Sequence, residues 1–470
     1  MNTQAFMSYN HAIGTLKDSP MFHLSLSSKE LFHSNFLYWI WKIDSTAFQT
    51  IMRNLGAKNV TSWPANWEVL REYESFDLCV VEQGTKRVLL VLENKVKSIP
   101  YKAQLDKYEK KVQELYGVYK DFVDLQNGIY KTNGKLYQRN PNNPKSVEDK
   151  FDKYDQYKSV DFILLTLPSG FPDEGSIRQQ GKWVIATYSQ YLRTIKNLTI
   201  QQGYKKDILT DYCSFVGALL DVYDTWKNNC YQSDSPLLNT QYIADAEELR
   251  IHDLCHKSKY AQICAEIQSK IQHHIQGKVS IIENDDKVIF SELSNHRNSK
   301  FIAFGYGYTN GQPFVDVKVA FHDGHHPIIC IIQAQGGWYR HGIIMDHSKL
   351  SGYNGTKDQR IWNYLEKNNV TPIGGNIICV NGHEWMRFEN FDKGKENKLC
   401  NISEVIKGNI FGESPLYPDH KSRKDSQPYG KYAGDNSPIG MIYQYRKLNS
   451  SVTVEQLIEY IVADVNGLIP

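Results

Sequence analysis

The run Arg87-Val88-Leu89-Leu90-Val91-Leu92 closes on Glu93-Asn94-Lys95, and this junction constrains the fold more than any other stretch. A branched apolar run of this length predicts a buried β-strand. Side chains two apart on a strand share a face. Glu93 and Lys95 therefore stand side by side, and Asn94 points the other way. Charges at the end of an apolar strand are costly to bury unless they are paired or put to use. Glu93 and Lys95 are either an ion pair worth little to stability or part of a site for metal-assisted phosphodiester cleavage.

The neighbouring sequence favours the second reading. Phe76 to Val81 predicts a partner strand, and Glu82-Gln83-Gly84-Thr85-Lys86 predicts the hairpin turn, with Gly84 free to take positive φ. Antiparallel pairing brings Asp77 close to Glu93. Two carboxylates make a hard oxygen site suited to Mg²⁺, which keeps several of its waters. Such a metal polarises a phosphate oxygen and lowers the pKa of a bound water. Lys95 would orient that water or help deprotonate it, and offset charge in the transition state. Ala103 to Tyr116 predicts an amphipathic helix, and Gln104 and Tyr108, four apart, lie on one of its faces.

Asp77, Glu93-Asn94-Lys95 and Gln104-Leu105-Asp106-Lys107-Tyr108 resemble the PD-(D/E)xK nuclease superfamily in its RecB-like branch, which carries a Q-x-x-x-Y element. The resemblance covers roughly residues 20 to 200. It implies Asp77, Glu93 and the Asn94 carbonyl as metal ligands. It implies Lys95 as the residue that acts on the water, and Gln104 and Tyr108 as groups that align the substrate strand or support the metal shell. In that branch an acid on the first helix often completes the site, and Glu30 stands at the corresponding place. The competing reading of Glu30 is a capping box over Ser27-Ser28-Lys29-Glu30. Phe76 replaces the proline of the family signature. The implied cofactor is Mg²⁺, with Mn²⁺ able to substitute.

The implied activity is hydrolysis of phosphodiester bonds in DNA, with restriction or defence against phage as the setting. A non-catalytic nucleic-acid-binding or assembly protein on the same fold is the alternative, and the presence of every named acid and of Lys95 weighs against it. Lys95, Lys97, Lys102, Lys107, Lys110, Lys111 and Lys120 cluster with Tyr101, Tyr108, Tyr116 and Tyr119. Cations suit phosphates and rings can stack on unpaired bases. Asp106, Glu109 and Glu114 are interspersed, which also suits an ordinary solvated helix.

Net charge is +2, so any basic surface must be local. No apolar stretch approaches the roughly 20 residues of a membrane helix, and the first residues lack the pattern of a signal peptide. The eight cysteines include no Cys-x-x-Cys pair, which suits reduced thiols in the cytoplasm. The expected partner is nucleic acid, without membrane association. A homo-oligomer or a regulatory protein partner stays open.

The expected fold class is α/β. A restriction-endonuclease-like mixed sheet flanked by helices spans residues 1–232, followed by a C-terminal α+β domain over 237–470 for substrate recognition or regulation. Tyr231 to Pro236 is the expected linker. Asp121 to Asp155 reads as a polar loop or excursion, and Val160 to Leu167 as a buried strand. In the second half, Ala244 to Gln276, Asp358 to Glu366 and Val454 to Val465 read as helical. Lys287 to Leu293, Phe301 to Tyr308, Phe314 to Phe321 and Ile328 to Gln335 read as strands. His252 and His256 flank Cys255, but zinc would need a further ligand. His322-Asp323-Gly324-His325-His326 reads as a hairpin tip. Phe314 to Val317 with Ile331 to Gln335 echoes the first-half hairpin, with glutamines in place of Glu93 and Lys95. A decayed second copy and a generic hairpin both explain that echo.

Overall fold

The structure is a computed structural model. It describes residues 3–26, 30–117, 155–199, 203–237, 242–275, 279–309, 311–323, 326–346 and 439–469, with short segments at 122–124, 129–132, 135–138, 153, 377–380, 383–387, 416–418 and 430–432. The chain forms two compact units. One comprises Met1–Thr225 with Asp245–Leu254, the other Trp226–Ala244 with Cys255–Pro470.

The first unit opens with helices α1 (Thr3–Asp18), α2 (Pro20–Ser25), α3 (Glu30–Ile43) and α4 (Ser45–Asn54). Strands β1 (Trp67–Arg71), β2 (Leu78–Glu82) and β3 (Val88–Lys95) precede helix α5 (Lys102–Leu115). Short strands β4 (Phe122–Asp124), β5 (Ile129–Thr132) and β6 (Lys135–Gln138) form a separate antiparallel sheet. Then come β7 (Asp161–Thr166), α6 (Glu174–Gln180), β8 (Trp183–Thr187), α7 (Tyr188–Lys196) and α8 (Tyr204–Cys230). The main sheet has the order β1-β2-β3-β7-β8. The first two pairings are antiparallel and the last two parallel. This is the mixed sheet with flanking helices that the sequence predicts.

Every residue of β3 and of β7 is buried, as expected of strands covered on both faces. Leu90, Val91 and Leu92 are fully buried, and side chains of this kind each contribute on the order of 2 kcal/mol. Helix α3 buries His33, Phe36, Leu37 and Ile40 along one stripe. Asp44 caps α4 by accepting from the Ala47 N–H at 2.9 Å. A capping box formed by Thr187 and Gln190 starts α7 immediately after β8. Gly56, at φ +107°, lets the chain pass so close to β8 that a Cβ there would meet Val184 Cγ1 at 2.6 Å.

The second unit contains α9 (Ile243–Glu248) in part, α10 (His252–His274) from Cys255 onward, α11 (Asp286–Asn295) and α12 (Val454–Leu468). Its strands are β9 (Ser280–Ile281), β10 (Phe301–Thr309), β11 (Gln312–Asp323), β12 (His326–Gln335), β13 (Trp338–Asp346), β14 (Ile377–Val380), β15 (His383–Arg387), β16 (Leu416–Pro418), β17 (Gly430–Tyr432) and β18 (Ile439–Lys447). The larger sheet runs β16-β18-β13-β12-β11-β10-β9, with β17 also paired to β18, while β14 pairs with β15. One face packs Val315, Val317, Cys330 and Ile332 against Ile263 and Ile267 of α10 and Leu457 and Ile461 of α12. The other packs Ala303, Ala320, Ile329 and Ile331 against Ile289 and Leu293 of α11. This is an α+β unit.

Several local expectations change. Lys287 to Leu293 lies in helix α11, not in a strand. Asp285 caps that helix by accepting from the Lys287 and Val288 N–H groups, and Ile289 and Leu293, four apart, pack inward together. The cap and the helical period outweigh the β-branched run. Residues 121–155 hold strands β4 to β6. Asn140 to Pro144 and Asp358 to Glu366 lie outside the described residues. The His322–His326 tip lies where β11 and β12 pair through Asp323 and His326, and Gly324 and His325 are outside the described residues. The second hairpin echoes the first only locally. Strand β12 has an antiparallel neighbour in β13, whereas β3 has a parallel one in β7.

Candidate active site

The site grows from the end of the β2–β3 hairpin. Leu78 pairs with Leu92, so one step further along the antiparallel ladder Asp77 stands opposite Glu93. Asp77 lies just outside β2, at the end of a strained turn. Glu72, Glu74 and Ser75 all adopt positive φ, at 53°, 54° and 70°, a conformation uncommon for residues other than glycine. Phe76 anchors this turn. It is fully buried and meets the Tyr108 ring edge-on, with centroids 5.5 Å apart. Asp77 Oδ2 accepts from the Asn94 N–H at 2.8 Å, across the point where the β2 ladder has ended.

Glu93 is 1% exposed and Lys95 9%, with Lys95 Nζ 2.6 Å from Glu93 Oε1. The same oxygen accepts from Gln104 Nε2 at 2.9 Å, and that nitrogen also lies 2.9 Å from Tyr108 Oη. Helix α5 thus brings Gln104 and Tyr108 directly onto the strand-end acid. Glu93 Oε2 is buried and has no hydrogen-bond partner. Burial, then the neighbouring Asp77 carboxylate, pushes Glu93 up to about 7, against the pull of Lys95. Burial raises Asp77 as well, in spite of the Asn94 N–H. The Asp77 carboxylate thus acts directly on Glu93. Burial alone would lower Lys95, but Glu93, Asp77 and Glu30 outweigh it and keep the ammonium above its usual value.

Glu30, at the start of α3, closes another side. Its Oε1 accepts from the Lys97 N–H at 3.0 Å, the Ser98 N–H at 2.9 Å and Ser98 Oγ at 2.9 Å. Burial pushes this carboxyl up, but the donors from Ser98 and Lys97 leave it below the usual range. One of its oxygens is therefore occupied by the turn after β3. Ser27 to Lys29 lie outside the described residues, and with them the expected capping box.

All the side chains named from the sequence gather here: Glu30, Asp77, Glu93, Lys95, Gln104 and Tyr108. Asn94 points to the opposite face. Its Nδ2 donates to the Glu30 carbonyl at 3.0 Å, and its Oδ1 accepts from Tyr188 Oη at 2.6 Å. Its backbone still serves the site side. Lys95 O accepts from the Leu167 N–H beyond β7. Successive carbonyls on a strand point to opposite edges, so Asn94 O points toward the β2 edge, where Asp77 stands.

The donor set suits a hard cation. Two carboxylates, one with an unsatisfied buried oxygen, and a carbonyl on the same edge supply oxygen ligands, and Mg²⁺ keeps water for its remaining positions. Among the described residues, no group of three or more His, Cys, Asp or Glu side chains is placed to hold a metal. A site at this strand end would rest on two acids, the carbonyl and water. His256, which with His252 and Cys255 lacks the further ligand zinc would need, packs edge-on against Trp226 and stacks on Tyr308.

Of the lysine cluster, Lys97 pairs with Asp253, Lys102 with Asp106, and Lys111 with Glu74 at 2.8 Å. Lys107 and Lys110 are exposed on α5, and Lys120 lies outside the described residues. Sequence reasoning missed Ser98 and Tyr188. A serine three residues beyond Lys95 is too common to stand out, and Tyr188 is separated from Asn94 by a whole β-α-β passage.

Residues 21–214 match the family model described as the PD-(D/E)XK nuclease superfamily. No curated protein and no solved structure matches the chain. Among the described residues, no helix is long and apolar enough to cross a membrane.

Proposed function

We propose that the protein is a Mg²⁺-dependent nuclease acting on DNA, because residues 21–214 match the family model of the PD-(D/E)XK nuclease superfamily. The observation that carries this reading is the buried, unpartnered Glu93 Oε2 beside Asp77, with Lys95 Nζ on the other oxygen. A carboxylate pair so arranged is costly alone and favourable around a divalent cation. Asp77, Glu93 and the Asn94 carbonyl would hold Mg²⁺ or Mn²⁺. When bound, the ion supplies Lewis-acid activation of the phosphate and a water of lowered pKa.

The chain's own residues do the rest. Lys95 would orient the attacking water or help deprotonate it, and offset charge on the phosphate. Gln104 fixes the rotamer of Glu93 and is itself tied to Tyr108. Glu30 shapes the turn carrying Lys97 and Ser98 instead of supplying both oxygens to the ion. The exposed lysines of α5 offer charge for a phosphate backbone.

DNA as substrate and a role in restriction or phage defence follow the habits of the superfamily, and the cysteines without a Cys-x-x-Cys pair support a cytoplasmic location. Residues 1–232 would form the nuclease region, and 237–470 would recognise substrate or regulate cleavage, alone or through a partner. The test is cleavage of plasmid and linear DNA by purified protein with Mg²⁺ or Mn²⁺, set against Lys95→Ala and Asp77→Ala. Metal-dependent cleavage lost in both variants supports the reading. Cleavage indifferent to Lys95→Ala would overturn the site, and no cleavage of DNA or RNA by the wild type would overturn the enzyme.

A further inference from the structure

The middle residue of Glu93-Asn94-Lys95 has a side chain that faces away from Glu93 and Lys95, yet its backbone N–H, Nδ2 and Oδ1 are all engaged. Asn94 is fully buried at a position where an apolar side chain would suit the surrounding core. Its backbone N–H donates to Asp77 Oδ2 at 2.8 Å. Its Nδ2 donates to the Glu30 carbonyl at 3.0 Å and lies 3.4 Å from Ser34 Oγ. Its Oδ1 accepts from Tyr188 Oη at 2.6 Å. The amide orientation is unambiguous, because the Glu30 carbonyl can only accept and so must meet the nitrogen. One residue therefore joins the strand carrying Glu93 and Lys95 to the turn carrying Asp77, to the helix carrying Glu30, and to the first residue of α7.

Tyr188 is the remote end of this lock. It is 1% exposed, and its ring meets His33 edge-on at 5.2 Å and Tyr191 at 5.8 Å. The ring is thus held by packing, and the phenol has one direction in which to point. We propose that Tyr188 is a positioning residue for the metal site, acting through the Asn94 side chain to hold the Asn94 backbone against Asp77. The proposal rests on the nuclease reading, since the groups positioned are the ligands assigned there. Its physical basis is general. Removing the phenol leaves a buried carbonyl oxygen without its donor, and the lowest-cost response is a shift of the Asn94 peptide. A misplacement on the order of 1 Å at a catalytic centre can lower a rate about 100-fold.

The test compares Tyr188→Phe with Tyr191→Phe, a neighbouring buried tyrosine on the same helix that does not bond Asn94. Three readouts are taken on the full-length protein: Mn²⁺ binding by calorimetry without nucleic acid, kcat and KM on DNA, and amide hydrogen exchange at Asn94. Tyr188→Phe should bind Mn²⁺ several-fold more weakly, lose roughly tenfold in kcat with KM little changed, and exchange the Asn94 amide faster. Tyr191→Phe should match the wild type in all three. Equal losses in both variants would reduce Tyr188 to a structural role and overturn the inference. Wild-type behaviour in Tyr188→Phe would overturn it too. A wild type that neither binds metal nor cuts DNA sinks the nuclease reading separately. The exchange rate at Asn94 then still decides whether Tyr188 holds that peptide in place.

Discussion

Gln104 Nε2 lies 2.9 Å from Glu93 Oε1, so helix α5 reaches back and fixes the acid near the end of β3. Glu93 Oε1 is thereby taken by Gln104 and Lys95 together, which leaves Oε2 as the oxygen available to the proposed cation. Gln104→Leu keeps the volume and removes the donor. It should lower kcat about tenfold with little change in KM. Tyr108→Phe should cost less, because the ring still packs on Phe76. Steady-state kinetics on a defined DNA duplex check both, and equal losses would show that Gln104 does not act by holding the Glu93 carboxylate.

The Lys97–Asp253 pair ties the segment Asp245–Leu254 to the turn that holds Glu30. Both side chains are largely buried, at 22% and 10% exposed. Asp253→Leu alone should destabilise the first unit by about 3 kcal/mol, since it removes the carboxylate from a largely buried ion pair. Lys97→Met together with Asp253→Leu should recover most of that loss. Lys17 and Glu248, 40% and 60% exposed, form the contrasting pair, and Glu248→Gln should be silent. Denaturant unfolding of the single and double variants gives the coupling, and additive losses at Lys97 and Asp253 would refute it.

Burial among aromatic rings pushes His33 down to about 3 from 6.5, against a small upward pull from Glu30. Its Nδ1 lies 2.6 Å from Tyr212 Oη, and Tyr188, Phe32 and Phe215 pack on the ring. Below the unfolded value the unfolded chain binds a proton that the folded chain refuses. The stability that His33 contributes is therefore present above pH 6.5 and is lost as pH falls toward 3. Unfolding free energies across the range of about pH 7.5 to 5, for the wild type and His33→Gln, should show the steeper acid slope in the wild type. Parallel slopes would assign the acid sensitivity elsewhere.

Gly56 combines a φ of +107° with the 2.6 Å approach of Val184 Cγ1. Gly56→Ala should lower stability by roughly 2–4 kcal/mol through strain and overpacking together. A thermal-unfolding midpoint equal to that of the wild type would show that β8 moves aside freely.

The legible part of the molecule is the part written in local patterns. The apolar run into Glu93-Asn94-Lys95, the hairpin turn and the four-residue spacing of Gln104 and Tyr108 each carry their geometry within a short stretch. The run at Lys287 to Leu293 reads as a strand because β-branched residues suit both strand and helix, and the deciding Asp285 cap lies outside the run. The positive φ of Glu72, Glu74 and Ser75 leaves no trace in residue type. The Tyr188–Asn94 bond spans 94 positions, and such contacts depend on the tertiary fold rather than on any spacing. The occupied Oε1 of Glu30 belongs to the same class, because its partners Lys97 and Ser98 look like ordinary turn residues.

Strand β3 alternates its cargo, with Glu93 and Lys95 on one face and Asn94 on the other. A slip of one residue against β2 or β7 would exchange those faces. It would push two charges into the packed layer under α3 and put an amide where a carboxylate is needed. Core formation and assembly of the candidate site are thus a single alignment decision, because one register buries Leu90 and Leu92 and sets Glu93 and Lys95 on the site face.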